Sequence, residues 1–214
     1  MKLAFALLLT GCWSGAPPAE PAPAKPPPER GRPRIVVSEA GVGPIDAQFV
    51  VSPAAVRKAF PGYRLELEQH DEYTVLFNIH DPDEMVFYIV PYHDCRPFGI
   101  HIVSDQVDVV SHGWRVGRQL GSYLPIDTCE CWGDDTRTCY RKGEHVAAVF
   151  EGECLDSNKD DFTTLAGATI TRVVWQPEAW GGDWTMGSER FDCVHGERIH
   201  KHSAPPPSPP SPNP

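Results

Sequence analysis

The sequence has few basic residues and no long hydrophobic run. Lysine and arginine number 19 against 29 acidic residues, which gives a formal net charge of −10. This surplus of negative charge argues against binding to nucleic acid and against electrostatic adhesion to anionic lipid. The longest apolar run, Leu3 to Leu9, has seven residues, whereas a transmembrane helix needs about 20. The sequence therefore predicts no retained membrane-spanning helix.

The sequence also lacks the short motifs of common catalytic centres. It contains neither a Gly-x-Ser-x-Gly nucleophile elbow nor a His-Glu-x-x-His zinc motif. Most of its nine histidines are expected in loops or at strand edges, where they are solvated. We therefore expect a protein that is not an enzyme and uses no cofactor. The alternative is an envelope hydrolase in which a Ser or Asp acts with a histidine such as His112 or His145.

The first residues have the features of an export signal that ends at a lipidated cysteine. Lys2 supplies a positive charge before the apolar run, and small residues lie directly before Cys12 in Leu9-Thr10-Gly11-Cys12. Such a segment is a targeting sequence, so residues 1–11 are predicted to be a signal peptide. Acyl chains on Cys12 would anchor the protein stably in a membrane. An aspartate directly after the lipidated cysteine favours retention in the inner membrane. Trp13 occupies that position here, so we expect the protein in the outer membrane.

Proline is concentrated at both ends of the chain. It accounts for eight of the 20 residues from Ser14 to Pro33 and for seven of the 12 from Ser203 to Pro214. Because proline fixes φ and removes a backbone donor, neither segment can form a helix or join a sheet. Residues 12–33 are predicted to be a lipidated, extended tether, and residues 203–214 a disordered tail. Residues 34–202 remain as a single globular domain.

The cysteines indicate disulfides rather than metal ligands. Six of the seven cysteines remain after Cys12, and an even number in an exported chain is typical of disulfides. They are Cys95, Cys129, Cys131, Cys139, Cys154 and Cys193. Sequence alone does not choose among the possible pairings. A bridge from Cys131 to Cys139 would be sterically easy, since a Gly-Asp-Asp turn signal lies between them.

One acidic segment partly matches a calcium-binding loop. Asp156, Asn158 and Asp160 occupy the first three ligand positions of such a loop. Asp161 stands where the loop needs glycine, and Gly167 where it needs glutamate. A solvated acidic loop is therefore the favoured interpretation, and no metal is expected. A calcium-stabilised structural module is the alternative.

The central domain has one clear helical signal. Ser52 can cap a helix that begins at Pro53, and Pro61-Gly62 ends it. A second helix is predicted near Val116 to Leu124.

Elsewhere the pattern is that of strands, and Asp81 to Glu84 has the composition of a hairpin turn. Strands are predicted at Arg34–Val37, Tyr63–Glu68, Thr74–Ile79, Met85–Val90, Ile100–Val103, Val107–Val110, Val146–Phe150 and Thr169–Trp175. The connections are too short for parallel crossovers. The predicted fold class is therefore α+β, a strand-rich antiparallel sheet with one or two helices, stabilised by disulfides.

Several short motifs occur in the same order as in a known bacterial family. They are Val37-Ser38-Glu39-Ala40-Gly41-Val42-Gly43, Asp105, Gly113-Trp114-Arg115-Val116-Gly117, a cysteine-bearing Gly-Asp-Asp segment to Cys139, then Gly143, Phe150 and Ile170-Thr171-Arg172-Val173-Val174-Trp175. Over roughly residues 36–176 the chain resembles the enterobacterial sigma-E-regulated lipoproteins, whose common domain has no established function. The resemblance implies an outer-membrane lipoprotein facing the periplasm, with one disulfide from Cys129 or Cys131 to Cys139. It implies no catalytic residue.

The segment Trp180-Gly181-Gly182-Asp183-Trp184 has no counterpart in that family. An apolar surface around Trp180 and Trp184 would be suited to binding a partner. The sequence thus predicts a non-enzymatic binding or structural module presented from the outer membrane. Its expected partners are the membrane, through the lipid anchor, and a periplasmic protein or other envelope component.

Overall fold

The computed structural model of the 214-residue chain describes residues 34–72, 74–119, 126–131, 135–152, 165, 167–181 and 191–198. In chain order the elements are β1 (Val36–Ser38), β2 (Gly41–Val42), α1 (Pro53–Ala59), β3 (Arg64–Gln69), β4 (Val75–Asp81), β5 (Glu84–Pro91), β6 (Pro97–Ile102), β7 (Asp108–Val109), β8 (Thr128–Cys131), β9 (Thr136–Tyr140), β10 (Val146–Glu151), β11 (Ile170–Trp175), β12 (Phe191–Asp192) and β13 (Glu197–Arg198). No helix within these ranges is long and apolar enough to cross a membrane.

The largest element is an eight-stranded sheet in the order β3-β4-β5-β6-β11-β10-β9-β8. Every pair of neighbouring strands in it is antiparallel. Strands β3 to β6 and β8 to β11 each form a meander, and the two meanders meet where β6 pairs with β11. A small sheet in the order β2-β1-β7 and the hairpin β12-β13 complete the strands.

One face of the large sheet carries the hydrophobic core. Its buried residues pack with α1 and with the small sheet in a single cluster. The strand residues of this cluster include Phe77, Ile79, Phe87, Ile89, Ile100, Ile102, Val173 and Trp175. Because side chains alternate between the two faces of a strand, the residues between these core positions lie on the opposite face, which we call the second face.

The structure corrects the predicted fold class. The chain is mostly β rather than α+β, because the described residues contain only one helix, α1. The second helix, predicted near Val116 to Leu124, is not formed at residues 116–119, where the chain makes a turn and a β-bridge. The Gly117 amide donates to the Ile170 carbonyl at 2.8 Å, and the Ile170 amide donates to the Arg118 carbonyl at 3.0 Å. These bonds to the start of β11 use the backbone groups that a helix would need.

Two local predictions are confirmed. Helix α1 begins at Pro53, and the Ser52 hydroxyl accepts from the Ala55 amide at 3.3 Å as an N-cap. Strands β4 and β5 form the predicted hairpin, with Asp81 opposite Glu84. The sequence pattern predicts a hairpin turn between β8 and β9 but not the two strands themselves.

Two disulfides join described residues, Cys95 to Cys193 and Cys129 to Cys139. The structure thus pairs Cys139 with Cys129 and not with Cys131. The strand register explains this, because Cys129 lies directly opposite Cys139 with Cα atoms 4.1 Å apart, whereas Cys131 lies opposite Arg137. Cys131 is disulfide-bonded as well, and Cys154 lies outside the described residues. The Cys95–Cys193 bridge connects the turn between β5 and β6 to the hairpin β12-β13.

Candidate functional site on the second face of the sheet

Four polar side chains lie side by side on the second face. Asn78 on β4 is opposite Tyr88 on β5, and Tyr88 is opposite His101 on β6. Across the meander junction, Val174 on β11 is opposite His101, so Arg172, two residues along β11, shares this face. We call Asn78, Tyr88, His101 and Arg172 the polar row. The arrangement brings an amide, a phenol, an imidazole and a guanidinium together from four neighbouring strands.

Direct contacts hold the polar row in place. The Tyr88 and His101 rings are stacked, with centroids 4.6 Å apart and planes 5° from parallel. Arg172 Nη1 donates a hydrogen bond to Tyr88 Oη at 2.9 Å, and Asn78 Nδ2 donates to Glu68 Oε2 at 2.7 Å. A methyl group at Gly99 would lie 3.3 Å from His101 Nε2. Glycine at that strand position therefore leaves room for the imidazole.

Several buried polar atoms of this face have no partner among the residues that the structure describes. Asn78 Oδ1, His101 Nδ1 and Arg172 Nε are buried without a hydrogen bond. The same holds for both ring nitrogens of His80, two residues from Asn78 on β4, although Nε2 lies 3.5 Å from Glu66 Oε2. Native proteins hydrogen-bond the large majority of their buried polar groups. A concentration of exceptions on one face marks it as the candidate functional site.

The charges of the polar row are unbalanced. Burial, and next the positive charge of Arg172, lower the pKa of His101 from its ordinary value of 6.5 to about 3. The imidazole is therefore neutral at physiological pH and supplies no charge. Among the described residues, no carboxylate lies within ion-pairing distance of Arg172. Arg172 is thus a half-buried cation without a counterion in the described part of the chain.

Trp180 is not on an exposed surface, contrary to the sequence prediction. It is only 3% exposed and stacks on Tyr140 with ring centroids 4.9 Å apart. With Ala147, Val149 and Val174 these two rings form an apolar cluster beside the polar row. The Trp180 amide donates to the Glu144 carbonyl at 2.8 Å, which holds Trp180 close to the start of β10. Trp184, its predicted partner in binding, lies outside the described residues.

His112 and His145, the histidines of the hydrolase alternative, are hydrogen-bonded, but within the described ranges no nucleophile is paired with either. His112 Nε2 is paired with the carboxylate of Glu144, and His145 Nδ1 bonds to the Gln176 carbonyl at 2.9 Å. A serine nucleophile needs a hydrogen bond to its base. The nearby Ser111 hydroxyl instead donates to Glu39 Oε1 at 2.7 Å.

Glu39 is a junction between segments that carry the family resemblance. Its carboxylate accepts from the Ser111 hydroxyl and, at 2.6 Å, from the His145 amide. Its carbonyl accepts from Trp175 Nε1 at 3.3 Å. The motif containing Glu39 therefore meets the end of the Ile170–Trp175 motif. These bonds give Glu39 a structural role in joining β1 to the large sheet.

The other predicted site residues fall beyond the described ranges. Cys12, the predicted lipidation site, and the calcium candidates Asp156, Asn158 and Asp160 are among them. Within the part of the chain that the structure describes, no group of three or more His, Cys, Asp or Glu side chains could hold a metal ion.

Sequence reasoning missed the polar row, although a signal for it exists. Three neighbouring strands each contain one polar residue between two large apolar ones, in Phe77-Asn78-Ile79, Phe87-Tyr88-Ile89 and Ile100-His101-Ile102. This pattern places each polar side chain opposite the core. Only the strand register, however, brings the three side chains next to one another.

The comparisons with known proteins place the fold but not the function. No protein-family model matches the chain, and no curated protein matches it. A solved structure, that of the uncharacterized protein yfeY from Escherichia coli, is similar with a TM-score of 0.51 and 18% sequence identity. The match covers 67% of this chain and 99% of that chain. At this identity the likeness shows a shared fold with an uncharacterised enterobacterial protein.

Proposed function

We propose that this chain is a non-enzymatic lipoprotein of the bacterial envelope that binds an envelope partner through the polar row. The observation that carries the proposal is the set of buried polar atoms on β4, β6 and β11 that have no partner among the described residues. The Cys12 lipidation motif and the proline-rich tether support an anchored domain that can reach partners. The disulfides support an oxidising compartment such as the periplasm.

The energetics favour a binding site over a purely structural role. Each buried polar atom without a hydrogen bond costs about 1–3 kcal/mol. Asn78 Oδ1, His101 Nδ1 and Arg172 Nε are buried without a partner among the described residues, whereas the core face of the same strands carries large apolar side chains such as Phe77, Ile89 and Ile100. Apolar residues at these three positions would avoid the penalty. A ligand that supplies the missing partners gives the polar residues a function.

The chemistry of the polar row favours binding over catalysis. Tyr88 Oη accepts from Arg172 and has no base bonded to it among the described contacts. His101 is stacked on the phenol ring rather than directed at its hydroxyl. No nucleophile is therefore bonded to a base in the polar row.

Site-specific photo-crosslinking in intact cells tests the proposal. A photoreactive residue replaces Glu66, which is exposed and lies opposite Asn78. The matched control replaces Val110, which is 63% exposed and follows β7 of the small sheet. We expect an adduct from position 66 that weakens when Arg172→Gln is added, and none from position 110. No adduct from position 66, or equal adducts from both positions, would overturn the proposal.

A further inference from the structure

We propose that the group bound at the polar row is a carboxylate, held by the Nε and Nη2 atoms of Arg172. This inference rests on the proposed function and specifies the chemistry of the ligand. It is carried by the hydrogen bonding of the guanidinium, by the charge balance of the face, and by the groups that surround Arg172.

One edge of the Arg172 guanidinium has no hydrogen-bond partner among the described residues. Nη1 is occupied by Tyr88 Oη at 2.9 Å. Nε is buried without a partner, and Nη2 makes no hydrogen bond to a described residue. Nε and Nη2 form an edge of two parallel N–H donors, which matches the two oxygens of a carboxylate in a bidentate pair. The Tyr88 contact thus fixes the guanidinium while leaving this edge unpaired.

The charge balance favours a single negative charge. Arg172 is the one cation of the polar row, and His101 beside it is neutral at physiological pH. Glu66 and Glu68 lie on the same face, on β3, and Glu68 accepts from Asn78. A carboxylate neutralises Arg172 one for one. A phosphate dianion would leave excess negative charge on a face that already carries two carboxylates, in a chain whose formal net charge is −10.

The other polar-row residues add uncharged hydrogen-bonding groups to the face that carries Arg172. Tyr88 accepts from Nη1 and keeps its own hydroxyl proton for donation. His101 Nδ1 and Asn78 Oδ1 provide further unpartnered atoms in the same row, and neither adds charge at neutral pH. Gly99 leaves space for the imidazole of His101. The sequence of β6 is therefore compatible with a polar side chain at this position of the second face.

Binding of defined acids to the purified full-length chain tests the inference. N-acetyl-alanyl-alanine, the same peptide with an amidated C-terminus, sodium acetate and inorganic phosphate are titrated to millimolar concentrations, followed by NMR chemical shifts. We expect the peptide acid to bind and its amide not to bind. Acetate binding as tightly as the peptide acid would identify the carboxylate alone as sufficient, and weaker acetate binding would assign the remaining contacts to a peptide. Both results support a carboxylate site.

Substitutions at two arginines of the second face test whether binding depends on the Nε and Nη2 atoms of Arg172. Arg172→Gln is expected to lower the affinity for the peptide acid at least about 10-fold, because a charge-assisted bidentate pair is lost. Arg172→Lys keeps the charge but not the paired donors, so it should also weaken binding, and it guards against a fold defect in the glutamine variant. Arg64→Gln, at an exposed arginine paired with Glu66, is the matched control and should leave affinity unchanged.

The outcomes separate this inference from the proposed function. Phosphate binding more tightly than every carboxylate, or equal binding of the acid and the amide, would overturn the carboxylate assignment. Absence of binding by any acid would overturn it as well, while the position 66 adduct would still support a binding face. Loss of that adduct would overturn the proposed function itself.

Discussion

Replacing His101 with phenylalanine is expected to flatten the dependence of the free energy of unfolding on pH between about pH 3 and 6.5. Burial and the Arg172 charge lower the pKa of His101 from 6.5 to about 3 in the folded protein. Between these values the unfolded chain binds a proton that the folded chain does not, so lowering the pH favours unfolding. Stability linked to His101 is therefore fully present above pH 6.5 and is lost as the pH falls toward 3.

The size of this effect follows from the two pKa values. At pH 5 the unfolded imidazole is about 1.5 pH units below its pKa of 6.5, and each unit corresponds to about 1.4 kcal/mol. Wild-type protein should therefore lose about 2 kcal/mol through His101 between pH 7.5 and pH 5. Phenylalanine keeps an aromatic ring over Tyr88 and removes the titrating group. Between pH 7.5 and pH 5 the free energy of unfolding of the variant should therefore fall by about 2 kcal/mol less than that of the wild type.

Urea unfolding at pH 7.5 and pH 5 measures the difference. The quantity compared is the change in unfolding free energy between the two pH values, so any constant cost of the substitution cancels. His70→Gln, at an exposed histidine, is the control for removing a surface imidazole. If His101→Phe loses as much stability at pH 5 as the wild type, His101 is not held neutral in the folded protein and the description of its surroundings is wrong.

Three further predictions concern single positions. In Arg172→Gln the pKa of His101, followed by NMR, should rise but stay below 6.5, because the Arg172 charge is the smaller of its two causes; no rise would contradict the assigned proximity. Cys193→Ser opens a bridge spanning 98 residues and should lower the free energy of unfolding by about 4 kcal/mol, and an unchanged urea midpoint would show that the bridge contributes little. Cys12→Ala should abolish incorporation of labelled fatty acid and release the protein from the membrane fraction, whereas continued labelling would exclude Cys12 as the lipidation site.

The parts of the fold that the sequence predicts correctly are those set by local signals. Ser52 and Pro53 determine the start of α1 through neighbouring backbone groups, and the Asp81 to Glu84 turn joins strands that are adjacent in sequence. The helix predicted near Val116 does not form at residues 116–119, because Gly117 forms a backbone hydrogen bond to Ile170, a distant residue. Such long-range competition leaves no trace in a local pattern.

The candidate site also depends on long-range pairing that a local sequence pattern does not predict. Each of Asn78, Tyr88 and His101 lies at a position where alternation predicts the second face. Their adjacency depends on the pairing of β4, β5 and β6, and the pairing is shifted by irregularities at Ile79/His80 and Val90/Pro91. A shift of one residue would move each side chain to the other face. The strand register also determines that Cys139 bonds to Cys129. The spacing of the cysteines in the sequence could not predict this pairing.

The proton resonance of Arg172 Nε–H tests most directly whether the polar row binds a carboxylate. The resonance is assigned by its absence in Arg172→Gln. On saturation with N-acetyl-alanyl-alanine the Nε proton should move downfield, because it gains a charge-assisted hydrogen bond, and the amidated peptide should leave it in place. An Nε–H resonance that is unchanged by saturating acid, or that moves equally with the amide, would contradict the assignment of Arg172 as the carboxylate-binding residue.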